Sequence, residues 1–262
     1  MDLGLSGKTA LVTGGSRGIG RATALALADE GVRVALAARE RAALEEASAA
    51  IEVHTGQRPL VIVADCTRRV DAAEMVHVAV ERLGAIDILV NSIGAAKGGN
   101  FLELTERDWE QSLALKLLGQ VRCCREVLPI MRARGGGSIV NVIGHRGKQP
   151  DGRALPAGVA NAGLMNFTIG LAQEEARYGI RVVGVNPAPV ETRRLQEVFE
   201  TEARVLGVSV EEARRRWLSH VPLGRAATPE EIANVVVFLA SRRASFITGT
   251  VVHVDGGATR GL

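Results

Sequence analysis

The stretch Thr9-Ala10-Leu11-Val12-Thr13-Gly14-Gly15-Ser16-Arg17-Gly18-Ile19-Gly20 joins a short apolar run to a glycine-rich turn. Thr9 to Val12 is apolar and β-compatible, as a buried parallel strand should be. From Arg21 to Glu30 the chain is rich in Ala and Leu, and Gly31 stands where a helix C-cap is expected. A glycine turn between strand and helix lets backbone N–H groups approach a pyrophosphate. The helix N-terminus adds partial positive charge at the same point.

Working outward, strand and helix signals alternate. Strands are expected at Val32 to Ala38, Leu60 to Val63, Ile86 to Val90, Ser138 to Ile143, Ile180 to Val185 and Thr250 to Val254. Helices are expected at Ala42 to Val53, Arg69 to Leu83, Arg107 to Arg134, Val159 to Arg177 and Pro229 to Ser241. Gly135-Gly136-Gly137 should stop the long helix. Thr228-Pro229-Glu230-Glu231 supplies an N-cap, a proline at the first position and an acidic first turn. Between Pro187 and His220 the pattern is charged and helical. Repeated βα units imply right-handed crossovers and a doubly wound parallel sheet with helices on both faces, a three-layer α/β Rossmann-type fold. With no linker or internal repeat, 1–262 reads as a single domain, with a lid-like insertion at about 191–220. The ligand crevice is expected beyond the carboxyl ends of the strands.

Composition narrows the classes. The chain has 262 residues, 47% hydrophobic and only 3% aromatic, so Ala, Val, Leu and Ile must build the core. The net charge is +3; the lysines are Lys8, Lys97, Lys116 and Lys148, and the other 28 of 32 basic residues are arginine. No basic stripe interleaved with aromatics points to nucleic acid. Cys66, Cys123 and Cys124 lack metal-ligand spacing, and adjacent cysteines on a helix point apart. A reduced, cytoplasmic protein without a metal site is the expectation. The N-terminal residues show no export signal, and no apolar run reaches the roughly eighteen residues of a membrane span.

Taken together, these residues resemble the short-chain dehydrogenase/reductase family over essentially the whole chain. Thr13, Gly14, Gly18 and Gly20 match its Thr-Gly-x-x-x-Gly-x-Gly turn. Asp65 follows the third strand, Asn91-Ser92-Ile93-Gly94 is similar to its Asn-Asn-Ala-Gly, and Val254-Asp255-Gly256-Gly257 closes the chain. Pro187-Ala188-Pro189-Val190-Glu191-Thr192 resembles the segment that holds the nicotinamide carboxamide, with Ala188 in place of glycine. The resemblance implies cofactor contacts from Gly14, Ser16, Arg17, Gly18, Ile19, Gly20, Arg39, Asp65, Cys66, Asn91, Gly94, Pro187, Val190 and Thr192. Where an acidic residue would end the second strand and favour NAD(H), this chain has Ala37-Ala38-Arg39. With Arg17 in the turn, two guanidinium groups are available to a 2′-phosphate, and NADP(H) is expected over NAD(H). The alternative is that both arginines are solvated.

The catalytic half departs from the family pattern. Its tetrad is Asn, Ser, Tyr and Lys. Asn161-Ala162-Gly163-Leu164 matches the family's Lys-Ala-Gly-Leu, which puts the tyrosine position at Ala157. Counting back places the serine at Gly144, and the asparagine position, seven residues after Trp109, is Lys116. The only tyrosine, Tyr178, lies about 30 Å from Ala157 at helical rise. Two residues are candidates to refill the site. Lys116 is either a desolvated base or anion ligand, or a structural substitution bonded to a carbonyl or water. His145 is either a proton carrier or a solvated loop histidine. Arg146, Lys148, Arg153, Arg193 and Arg194 make a positive rim suited to an anionic small-molecule substrate. Arg214-Arg215-Arg216 with Glu211-Glu212 reads as an exposed salt-bridged helix face. Three functions remain open: an oxidoreductase with retooled or weak catalysis, a non-redox enzyme in the same cleft, and a nucleotide-binding or regulatory subunit. The helices around Trp109 to Arg134 and Val159 to Arg177 resemble the family's dimer and tetramer faces, so a homo-oligomer is expected.

Overall fold

The computed structural model describes residues 1–260; the last two residues of the expected domain, 261 and 262, lie outside them. Seven parallel strands form one sheet: β1 (Thr9–Thr13), β2 (Arg33–Ala38), β3 (Leu60–Val63), β4 (Ile88–Asn91), β5 (Gly137–Val142), β6 (Ile180–Pro187) and β7 (Val251–Val254). Their order is β3-β2-β1-β4-β5-β6-β7, the doubly wound arrangement expected. Direction reverses beside β1, so the carboxyl ends of β1 and β4 open onto the crevice.

Strand alternation divides the core into two layers. Ala10, Val12, Val34 and Leu36 face α1 (Gly18–Asp29), α2 (Arg41–Thr55) and α9 (Pro229–Ala240). Leu11, Ala35 and Ala37 face the other way, toward α3 (Arg69–Leu83) and α5 (Gly119–Ala133). A period of two thus buries both faces with small aliphatic side chains.

Several boundaries differ from expectation. Helix α1 begins at Gly18, because the turn glycines themselves enter the first helical turn. The expected helix over Arg107 to Arg134 is broken: α4 (Glu106–Leu113) gives way to a π-helical segment at Ala114–Leu118, and α5 resumes at Gly119. One extra residue per turn rotates the side chains, and Lys116 lies inside this segment. Helix α6 (Leu155–Glu175) starts four residues earlier than Val159, with Pro156 in its first turn. Gly137 is the first residue of β5 and not a helix stop. The stretch 191–220 holds α7 (Arg193–Leu206) and α8 (Val210–Leu218), capped by Thr192 and Ser209. Leu195, Phe199, Leu218 and Val221 give it a small core of its own. The N-cap expected at α9 is present and forms a capping box, with Thr228 and Glu231 bonding each other's backbone N–H groups.

No helix among the described residues is long and apolar enough to cross a membrane.

Candidate active site

The strand ends under the crevice are tied by a buried polar strut. Thr13 Oγ1 donates to Asn91 Oδ1 at 3.2 Å, Asn91 Nδ2 to Asn141 Oδ1 at 3.0 Å, and Asn141 Nδ2 to Thr168 Oγ1 at 3.0 Å. All four residues are fully buried, so the bonds hold β1, β4, β5 and α6 in register below the site. This is where the structure puts Asn91: its side chain belongs to the floor, not to the cleft wall.

Above the floor, two adjoining hollows share Ser92, Ile93 and Gly94. The first, about 320 Å³, runs over the glycine turn and the end of β2. It gathers Gly14, Ser16, Arg17, Arg39, Asp65 and Cys66. Gly14 has φ +70, and a Cβ there would overlap the Ser92 carbonyl; a Cβ on Gly20 would overlap the Gly14 carbonyl. The turn is therefore closed to side chains. The N-cap of α1, Arg17, makes no side-chain cap bond, so the first N–H groups of that helix remain available to an anion. Those two features fit a bound pyrophosphate. Gly18 sits beside Thr192, whose methyl would be 3.2 Å from a Cβ at that glycine.

The two arginines are not equivalent. Arg17 is bonded to Glu40 at 2.7 Å, whereas Arg39 makes no ion pair among the described residues. Glu40 thus holds Arg17 and leaves Arg39 as the unpaired guanidinium of the two among the described residues. Cys66 borders the same hollow. Its sulfur lies 3.6 Å from that of Cys123 and is buried, so the thiol faces the core while its residue borders the hollow. Spacing along the chain gave no sign of this pair, since Cys66 lies in the turn between β3 and α3 and Cys123 on α5.

The second hollow, about 270 Å³, lies at the ends of β4, β5 and β6. Lys116, Gly144, Ala157 and Asn161, four positions singled out separately in the sequence, all line it. Ile19, Pro187, Val190 and Thr192 form the wall toward the first hollow. Lys116 Nζ donates to the Ile143 carbonyl at 2.8 Å. Burial, with repulsion from Arg194 added, pushes its pKa down to about 8. His145 is held below its ordinary value, mainly by burial and then by Arg146, with the Pro187 backbone opposing. Gly144 has φ +133, and its N–H donates to Asn186 Oδ1 at 3.1 Å. Asn161 is 3% exposed, and its Oδ1 has no hydrogen-bond partner. Tyr178 is far away at the other end of α6, stacked under Arg132 at 4.4 Å.

The positive rim is smaller than the sequence suggested. Arg153 pairs with Glu202 at 3.2 Å, Arg193 with Glu197 at 3.1 Å and Arg146 with Asp151 at 2.9 Å. Lys148 does not line the cleft. Arg194 remains: it reaches over the mouth and donates to the Ala96 carbonyl at 3.0 Å. Arg215 and Arg216 pair with Glu212 on the exposed face of α8, as expected, whereas Arg214 pairs with Glu191 outside that helix and Glu211 makes no ion pair among the described residues. Trp217, which closes the outer wall, carried no sequence signal.

Similarity to known proteins follows the same geometry. Residues 14–259 match the family described as enoyl-(acyl carrier protein) reductase. A 3-oxoacyl-[acyl-carrier-protein] reductase of Thermotoga maritima is 34% identical over 254 residues, covering 97% of this chain and 98% of that protein. An L-sorbose reductase from Gluconobacter frateurii, solved with NADPH and L-sorbose, superposes with a TM-score of 0.95 at 34% identity, each chain covered completely. Actinorhodin polyketide ketoreductase with NADPH gives 0.93 at 34% identity, covering 97% of this chain and 98% of that one. The chain is a member of the short-chain dehydrogenase/reductase family of oxidoreductases.

Proposed function

We propose that this protein binds NADP(H) across the two hollows and acts on a carbonyl or alcohol with retooled or weak catalysis. One observation carries the reading: Lys116, Gly144, Ala157 and Asn161, the positions that the family resemblance assigns to the tetrad, line one cleft, and none bears a hydroxyl. The cradle is intact, so the cofactor end of the site supports binding. NADPH, when bound, supplies the hydride. The protein must then furnish the proton that a tyrosine would otherwise give. Lys116 is the group suited to it, because a pKa of about 8 keeps its ammonium protonated at neutral pH while easing transfer. His145, held below its ordinary pKa, is mostly neutral there and serves better as an acceptor. Micromolar binding of NADPH by calorimetry, followed by slow NADPH oxidation with a carbonyl panel, is the expected result. Tight binding without turnover would favour the nucleotide-binding subunit, and failure of NADPH to bind would reject the reading.

Preference for the phosphorylated cofactor rests on Arg39. Replacing Arg39→Asp removes one charge-assisted partner and places an anion beside the 2′-phosphate. The ratio of NADPH to NADH affinity is expected to fall by about tenfold or more, measured by paired titrations. An unchanged ratio would assign the arginine to solvent.

We also infer a cytoplasmic homo-oligomer, either a dimer or a tetramer. Leu118 and Val159, 43% and 51% exposed, present apolar surface along the two long helical stretches. Light scattering is expected to return a mass of two or four chains; a monomer would refute it.

A further inference from the structure

The second hollow has an electrostatic character that the proposed carbonyl chemistry does not itself require. Among the described residues, no carboxylate lines it, whereas Lys116, Arg146 and Arg194 do. Arg146 is neutralised by Asp151, which leaves two cations facing the same space without an anion. An ammonium has three N–H donors. One is used on the Ile143 carbonyl, and two are left for a ligand. Asn161 also lines the hollow, and its Oδ1 is buried without a hydrogen-bond partner. The two features flank one short piece of backbone. Lys116 bonds Ile143, and the next residue, Gly144, lies so close to Asn161 that a Cβ would be 3.0 Å from its Nδ2.

We infer that the cleft selects small 2-oxo and 2-hydroxy carboxylates, with the carboxylate held between Arg194 and Lys116 and the 2-oxygen on the remaining Lys116 donor. This rests on the cleft being the reaction site of the proposed oxidoreductase. Adjacent oxygens on C1 and C2 are what the two remaining Lys116 donors can bind together. A volume of about 270 Å³ suits a small acid. In the reduction, C2 gains a hydride from NADPH, which leaves as NADP⁺. The 2-oxygen gains a proton from the Lys116 ammonium, and solvent returns a proton to the lysine.

The test compares 2-oxobutanoate with its methyl ester, titrated into the protein alone and into the protein saturated with NADP⁺. The acid is expected to bind about tenfold or more tightly than the ester, the value of a charge-assisted bond. Arg194→Gln, at an exposed position, and Lys116→Met should each erase most of that preference, and Arg194→Gln should leave NADPH affinity within about threefold. His145, Arg146 and Arg194 share the cleft with Lys116, so the pH dependence needs the Lys116→Met control. With Lys116 present, the acid preference should fade as the pH rises above about 8, where the ammonium is lost; in Lys116→Met that step should vanish. Equal binding of acid and ester, or a preference untouched by both substitutions, overturns the inference. NADPH titrated separately shows whether the cofactor reading stands in that event. If NADPH fails to bind, the acid and ester titrations of the protein alone still decide the matter.

Discussion

Carbonyl reduction is expected to rise by about 10²–10⁴-fold when the proton relay is rebuilt with Ala157→Tyr, Asn161→Lys and Lys116→Asn together, the range a positioned general acid supplies. The three positions line one cleft, and Ala157 is only partly buried there. Introducing Asn161→Lys alone would set a second ammonium beside Lys116, and like charges in a desolvated space oppose each other. The Lys116→Asn change removes that conflict. Serine is deliberately left out. Gly144 has φ +133, and a side chain there would press on Asn161, so Gly144→Ser adds strain on the order of 1–3 kcal/mol. The measurement is NADPH oxidation at saturating cofactor with a carbonyl panel, wild type beside the triple variant. A gain near the upper end would show that hydride geometry is already in place and that only proton transfer had been lost. No gain, with NADPH binding intact, would mean the altered cleft no longer presents a carbonyl to the nicotinamide, which would favour non-redox use of the site.

The cradle should be equally sensitive in the opposite direction. Gly20→Ala places a Cβ against the Gly14 carbonyl, backbone against backbone, where no rotamer change gives relief. Overpacking of this kind costs about 1–3 kcal/mol. For a domain of this size that corresponds to a melting-temperature loss of roughly 2–12 °C. Nucleotide affinity should fall further, by about 100-fold, because the turn that moves is the one whose N–H groups meet the pyrophosphate. Gly56→Ala provides the contrast. Gly56 caps α2 at φ +73 with nothing within 4 Å of a built Cβ, so it carries conformational strain without a ligand. It should lose about 1 kcal/mol of stability and no NADPH affinity. Calorimetric titration and thermal melting of the two variants separate the effects. Equal NADPH binding by wild type and Gly20→Ala would remove the cradle from the cofactor site.

Much of the site was legible because its residues carry local signals. The glycine turn, Asp65, the Asn91-to-Gly94 stretch and the Pro187-to-Thr192 segment each lie at a strand end, and strand ends meet at the crevice in any doubly wound sheet. The match of Asn161-Ala162-Gly163-Leu164 to the family's Lys-Ala-Gly-Leu pointed to Ala157, and both residues lie on one helix, α6. Polar partners between distant segments were not legible. Glu40 holds Arg17, Cys66 meets Cys123, and Asn161 lacks a partner, each as a consequence of side-chain packing across elements. The rim shows the same limit. Five cations were readable as a cluster in the sequence, but their carboxylate partners Asp151, Glu197 and Glu202 could be matched to them only in three dimensions.

By itself, the sequence determined the parallel α/β fold, the glycine turn after β1 and the identities of the residues that line the cleft. These depend on periodicity, on glycine's freedom from a Cβ and on spacing within single elements, all properties of short segments. The tertiary structure decided what those residues face. It broke the long helix into a π segment around Lys116, carried that ammonium to the Ile143 carbonyl, and cancelled most of the rim charge while leaving Lys116 and Arg194 without a carboxylate partner in the cleft. Desolvation and charge pairing are sums over neighbours brought together from the whole chain, and no local stretch contains that sum.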